Sequence, residues 1–150
     1  MQRILFVCTG NTCRSPMAEA ILKNHKLEDV EVRSAGVHAV NGSGASAHTK
    51  SVLQENNIPH DHQSRVLSES DITWATYVLT MTASHKEVII HHFPLAVNKT
   101  FTLKEFAGET FEHDVADPFG GSSTHYREAY QEIEQAIRTI MGRLNKENNR

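Results

Sequence analysis

Val7-Cys8-Thr9-Gly10-Asn11-Thr12-Cys13-Arg14-Ser15-Pro16 stands between an apolar run, Ile4-Leu5-Phe6-Val7, and a helix-like run, Met17-Ala18-Glu19-Ala20-Ile21-Leu22. A short apolar, β-branched run reads as a buried strand of a parallel sheet. Pro16 falls where a first helical turn tolerates it. The segment therefore reads as strand, tight loop and helix N-terminus. That geometry aims several backbone N–H groups at one point and adds the positive end of a helix dipole, which together make a concavity for a phosphate-sized anion. Gly10 is expected to allow close backbone approach, and Asn11 to tolerate a left-handed conformation.

Two side chains turn this anion cradle into a reaction site. Cys8 ends the strand and Arg14 comes six residues later, which closes a C-x5-R loop. The N–H dipoles and the Arg14 charge should favour a nucleophilic thiolate at Cys8. Arg14 can hold two phosphoryl oxygens with its planar fork, which a lysine cannot do. Ser15 can donate a hydroxyl hydrogen bond to the sulfur, before attack and again when the thiolate departs. A bare C-x5-R arises by chance, and an isolated cysteine is commonly a small buried hydrophobe. Here the strand end, the Gly-Asn loop and the Arg-Ser-Pro helix start supply the context that separates a motif from a coincidence.

The rest of the composition narrows the class. The chain has 150 residues, one domain's length over 1–150, and a net charge of −3 with no Lys/Arg run before the tail. Nucleic acid is not an expected partner. There is no signal-peptide pattern and no apolar run near the length of a membrane span. A cytoplasmic monomer with no membrane partner is expected. The two cysteines, Cys8 and Cys13, share one loop, which fits neither a stapled secreted fold nor a thiolate zinc site. The ten histidines, including His60, His62, His91 and His92, lack metal-ligand spacing and read as surface and loop residues. No metal and no cofactor are expected.

Along the chain, Val30 to Gly36 reads as a second strand, alternating and closed by glycine. Asn41-Gly42-Ser43-Gly44-Ala45-Ser46 is a turn-rich loop, equally a wall of the site or plain surface. Ala47 to Asn57 reads as a helix with Val52 and Leu53 inward, ended by Ile58-Pro59. Ser68 to Asp71 offers caps for a short helix. Tyr77 to Met81 is a third strand. Ser84 to Phe93 is a helix with Val88, Ile89 and Phe93 as its apolar side, stopped by Pro94. Lys99 to Leu103 is a weaker fourth strand. In the last helix, Tyr126, Tyr130, Ile133, Ile137, Ile140 and Leu144 form a stripe of core residues. A polar, frayed tail is expected from about residue 145. Strands alternating with helices imply an α/β fold: a parallel sheet with helices on both faces in a single domain. Ligands in such sheets bind at the carboxyl ends of strands, where Cys8 falls.

The run Cys8-Thr9-Gly10-Asn11-Thr12-Cys13-Arg14-Ser15-Pro16-Met17-Ala18-Glu19-Ala20 resembles the signature of the low-molecular-weight protein tyrosine phosphatase family. The resemblance extends to Arg33-Ser34-Ala35-Gly36, His62-Gln63-Ser64-Arg65 and Asp117-Pro118-Phe119-Gly120, nearly end to end. It implies a four-stranded parallel sheet in the order 2-1-3-4 and a cysteine-dependent protein phosphatase with a phosphocysteine intermediate. It implies phosphorylated proteins as partners, a cradle of Thr9, Gly10, Asn11, Thr12 and Cys13, and a Ser34–His62 brace hydrogen-bonded to Asn11. The family's phosphotyrosine enzymes usually carry an apolar residue where Thr12 stands, and Thr there resembles the protein-arginine phosphatase branch.

Attack by Cys8 expels a leaving group that needs a proton. Asp117 matches the family's general acid, and in the second step the same carboxylate would activate water. Asp114 is the local competitor but lacks the Pro-aromatic context. After Asp-Pro the family usually has two aromatics. Here Phe119 is followed by Gly120, so one apolar wall is kept and one lost, which weakens a fit to a flat phenyl ring. Asp117 and Thr12 are both able to accept N–H hydrogens of a guanidinium. Phosphoarginine is therefore the expected substrate, with phosphotyrosine the alternative. A thiol-linked arsenate reductase would need cysteines after Cys13, and none exists. A non-catalytic phosphate-binding module would not need both Cys8 and Asp117. A reactive Cys8 beside Cys13 also suggests reversible oxidation to a disulfide.

Overall fold

The computed structural model describes residues 1–148, with side chains through Leu144. Strands β1 (Gln2–Cys8), β2 (Val30–Gly36), β3 (Tyr77–Thr80) and β4 (Thr100–Thr102) form one parallel sheet in the expected order, β2-β1-β3-β4. Six α-helices are described: α1 (Arg14–Asn24), α2 (Ala47–Glu55), α3 (Glu69–Trp74), α4 (Ala83–His92), α5 (Leu103–Phe106) and α6 (Ser123–Asn148).

The alternation of β1 divides the core in two. Ile4, Phe6 and Cys8 join a cluster with Met17, Ile21 and Leu22 of α1, Val52 and Leu53 of α2, and the α6 stripe. Leu5 and Val7 point the other way, onto Ile72 of α3, Ile89 of α4 and Ala96. Helices thus cover both faces. Tyr126, Tyr130, Ile133, Ile137, Ile140 and Leu144 are all buried, as their spacing requires. Cys8 belongs to the α1 side, so its strand and the helix that opens with Arg14 pack against each other.

Several boundaries differ from those the sequence suggests. α6 runs to Asn148, beyond the tail expected from about 145, because nothing after Leu144 breaks a helix. Residues 149–150, the rest of that tail, lie outside the described residues. α2 stops at Glu55 because Asn57 turns to φ 57°. α4 starts at Ala83, where the Thr82 hydroxyl accepts from the His85 N–H, and leaves Val88 exposed rather than inward. β3 ends at Thr80. Leu103 opens the unexpected α5 instead of ending β4, because Thr102 and Glu105 form a capping box.

Candidate active site

Cys8 ends β1, and the chain then arches into α1, whose first residue is Arg14. The glycine that makes this arch possible is not Gly10, where an added Cβ would meet only the Thr12 hydroxyl at 3.6 Å. It is Gly36, at the end of β2, where a Cβ would stand 2.5 Å from the Thr9 carbonyl oxygen and 2.9 Å from the Asn11 nitrogen. The loop backbone lies directly on that bare Cα. Val37 and His38 extend the contact, their N–H groups donating to the carbonyls of Cys8 and Thr9. The N-cap of α1, Cys13, makes no side-chain cap, and the first turn holds no acidic residue. The helix N-terminus therefore keeps its positive end available to an anion.

The loop is held from beneath by Asn11, which is fully buried with φ 56°. Its carbonyl oxygen accepts from His62 Nε2 and from the Ser64 hydroxyl, both at 2.7 Å. Its Oδ1 accepts from the Arg65 N–H at 3.0 Å. Its Nδ2 donates to Ser34 Oγ at 2.9 Å and to Ser15 Oγ at 2.8 Å. Ser15 Oγ in turn lies 2.8 Å from Cys8 Sγ. Asn11 takes one of the two acceptor positions of that hydroxyl, and against a thiolate, which has no hydrogen to give, the Ser15 hydrogen is the one that bridges to the sulfur.

Behind the brace lies Glu19, to which the sequence pattern assigns no role of its own. Ser34 Oγ donates to Glu19 Oε1 at 2.6 Å, and His62 Nδ1 lies 3.4 Å from the same oxygen. Burial works to raise the Glu19 pKa, but hydrogen bonds from His62, Lys23 and Ser34 outweigh it and hold the carboxyl at about 2. His85 is a second such residue, and it departs from the expectation of surface histidines. It is 7 % exposed, with Nε2 2.8 Å from the Thr9 hydroxyl. Burial, aided by the Arg14 charge, pushes its pKa down to about 4, so the ring is neutral at pH 7. Only tertiary packing distinguishes it from the other histidines.

The loop residues Cys8, Thr9, Gly10, Thr12, Cys13 and Arg14 line a cleft of about 180 Å³, and Asp117 and Phe119 complete its lining. Arg14 is buried, with Nη1 donating to the Val115 carbonyl at 2.8 Å and Nη2 3.6 Å from Asp117 Oδ2. The other Asp117 oxygen accepts from the Phe119 N–H. Phe119 is 75 % exposed, an open aromatic wall. Asp114, the competing carboxylate, does not line the cleft. Its Oδ1 accepts from the Ala83 N–H at the start of α4. The Asn41–Ser46 loop does not line it either, but supports it from behind: Ser46 N–H donates to the Thr12 carbonyl, and the Ser46 hydroxyl lies 3.7 Å from Cys13 Sγ. Cys13 Sγ also lies 3.4 Å from the Tyr126 hydroxyl, and both cysteines are free thiols. Among the described residues there is no cluster able to hold a metal ion, and no helix is long and apolar enough to cross a membrane.

The arrangement places the Cys8 sulfur, with the Ser15 hydroxyl behind it, the Arg14 guanidinium and the Asp117 carboxylate around one phosphate-sized space. Phosphoryl transfer to sulfur requires this set. Comparison with known proteins agrees. The chain is 54 % identical over 145 residues to a protein-arginine-phosphatase of Geobacillus stearothermophilus, covering 97 % of each chain. It is 42 % identical over 139 residues to the low molecular weight protein-tyrosine-phosphatase PtpB of Staphylococcus aureus, covering 90 % of this chain and 94 % of that one. Among solved structures, a YwlE arginine phosphatase mutant with a phosphorylated active-site serine in place of cysteine superposes with a TM-score of 0.92 at 42 % identity, covering 97 % of each chain. Residues 3–150 match the model of the low molecular weight phosphotyrosine protein phosphatases, and the chain belongs to that family.

Proposed function

We propose that this protein is a cytoplasmic, monomeric, single-domain protein-arginine phosphatase. The observation that carries this reading is the convergence of Cys8, Arg14 and Asp117 on one cleft whose polar side is Thr12 and whose aromatic side is Phe119 alone. The phosphoryl group of a phosphorylated protein settles on the loop N–H groups and the Arg14 fork. The Cys8 thiolate attacks phosphorus, the bond to the leaving nitrogen breaks, and Asp117 supplies the proton that nitrogen takes up. Asp117, now a carboxylate, removes a proton from water, whose oxygen attacks the phosphocysteine. The thiolate departs toward the Ser15 hydroxyl, and inorganic phosphate is released. The serine-phosphorylated variant of the related arginine phosphatase supports a covalent intermediate at the cysteine position.

Substrate choice rests on Thr12, on the single aromatic wall and on similarity to an arginine phosphatase. A site that hydrogen-bonds its substrate discriminates more strongly than an apolar slot. Phosphoarginine peptides should be cleaved with higher kcat/KM than phosphotyrosine peptides, and Thr12→Ile should flatten or invert the ratio. Preference of the wild type for phosphotyrosine, or a ratio untouched by Thr12→Ile, makes the protein a tyrosine phosphatase instead. Redox control is part of the same proposal. Peroxide converts the Cys8 thiolate to a sulfenic acid, and Cys13 condenses with it to a disulfide that thiols reverse. Such a thiol switch suits a reducing compartment.

A further inference from the structure

The first turn of α4 touches both the loop that lines the cleft and the segment that leads to Asp117. His85 Nε2 meets the hydroxyl of Thr9, the residue after the nucleophile, at 2.8 Å. Two residues earlier, the Ala83 N–H donates to Asp114 Oδ1, also at 2.8 Å. Asp114 is three residues upstream of Asp117, on the segment that carries it over the cleft. From Asp117 onward the backbone bonds of that segment close on themselves: Phe119 N–H to Asp117 Oδ1, and Gly121 N–H to the Pro118 carbonyl. Besides the 3.6 Å ion pair from Asp117 Oδ2 to Arg14 Nη2 and the buried Pro118, its ties to the body lie upstream. Val115 is held at both ends, its N–H donating to the Met81 carbonyl and its carbonyl accepting from Arg14 Nη1. A residue held at its own two ends still pivots about them. The Asp114 carboxylate, fixed to α4 one residue earlier, removes that pivot.

We propose that Asp114 is a positioning residue for proton transfer. By binding the start of α4, it refers the Asp117 carboxylate to the same turn that holds Thr9. This rests on Asp117 being the acid. Asp114 touches no reacting atom, and its bond to a helix N-terminal N–H places a carboxylate where such an anion is stabilised. The bond needs an acceptor and gains only modestly from the charge, so asparagine can replace it and alanine cannot.

The test compares wild type, Asp114→Asn, Asp114→Ala and Asp117→Asn on phenyl phosphate and 2,4-dinitrophenyl phosphate, with thermal melts to confirm folding. The readout is kcat/KM, which reports the first phosphoryl transfer alone. Phenolate leaves poorly without a proton, whereas dinitrophenolate hardly needs one. Asp114→Ala should lose about tenfold on phenyl phosphate, a fraction of the scale of a proton-transfer residue, and less than twofold on the dinitrophenyl ester. Inhibition by inorganic phosphate should be unchanged, and Asp114→Asn should stay within about threefold of wild type on both esters. An Asp114→Ala enzyme that slows both esters equally, or that binds phosphate less well, overturns the proposal, because Asp114 is then a general support of α4. If instead Asp117→Asn leaves phenyl phosphate cleavage intact, the assignment of the acid is what has failed.

Discussion

Replacing Asn11 by aspartate changes one N–H₂ group to an oxygen at the centre of the loop brace. The asparagine amide donates to Ser15 Oγ at 2.8 Å and to Ser34 Oγ at 2.9 Å. Aspartate keeps the shape, keeps an acceptor for the Arg65 N–H, and tolerates the left-handed φ of 56°. It cannot donate. The single Ser15 hydrogen then stands between a buried carboxylate and the Cys8 sulfur, and the harder oxygen anion takes it. The thiolate loses a hydrogen bond to a charged acceptor, worth about 1.5–3 kcal/mol. At 1.36 kcal/mol per decade that is roughly tenfold to a hundredfold. Alkylation of Cys8 by iodoacetamide at pH 6, monitored by mass spectrometry of the Cys8–Cys13 peptide, should slow by that factor, and kcat should fall with it. Thermal melts establish that the variant is folded. Alkylation within twofold of wild type in a folded Asn11→Asp protein would refute the Asn11–Ser15–Cys8 chain as the device that holds the thiolate.

The same geometry sets other outcomes. Cys8→Ser should abolish turnover on any phosphate ester while preserving the fold, and Arg14→Lys should be severely impaired because a point charge loses the bidentate clamp; steady-state assays with phosphate-binding controls check both. Peroxide treatment should produce a Cys8–Cys13 disulfide by mass spectrometry, with activity recovered on adding dithiothreitol; no linkage, or no recovery, removes redox control. Stability should fall on the acid side in two stages. His85 is neutral in the folded protein down to about 4, while an unfolded histidine takes its proton near 6.5, so stability is lost as pH falls between those values. Glu19 stays ionised to about 2 against an ordinary 4.5, so its contribution is present above 4.5 and lost as pH falls toward 2. Melting temperatures of wild type and His85→Gln measured from pH 7 to pH 4 should converge at the acid end if His85 is the first of these groups.

The sequence by itself determined the elements that depend on local pattern. Apolar Ile4–Val7, the turn-forming Gly-Asn, and Arg-Ser-Pro before a helical run specify strand, loop and helix start within a few bonds of one another, so Cys8 and Arg14 are fixed relative to each other locally. The four-and-three spacing from Tyr126 to Leu144 specifies a buried helix face because helical period alone puts those residues on one side. Tertiary structure decided what depends on groups far apart in the chain. Gly36 proved to be the glycine the loop needs, since only strand pairing brings it under Thr9 and Asn11. His85 proved buried and neutral, 76 residues from the threonine it meets. Asp117 is marked in the sequence by the Pro118-Phe119 that follows it, but it is folding that turns Asp114 to the N-terminus of α4 and Asp117 to Arg14. A histidine or carboxylate carries no sign in the sequence of which charges and which solvent it will meet, and those surroundings give each group its role.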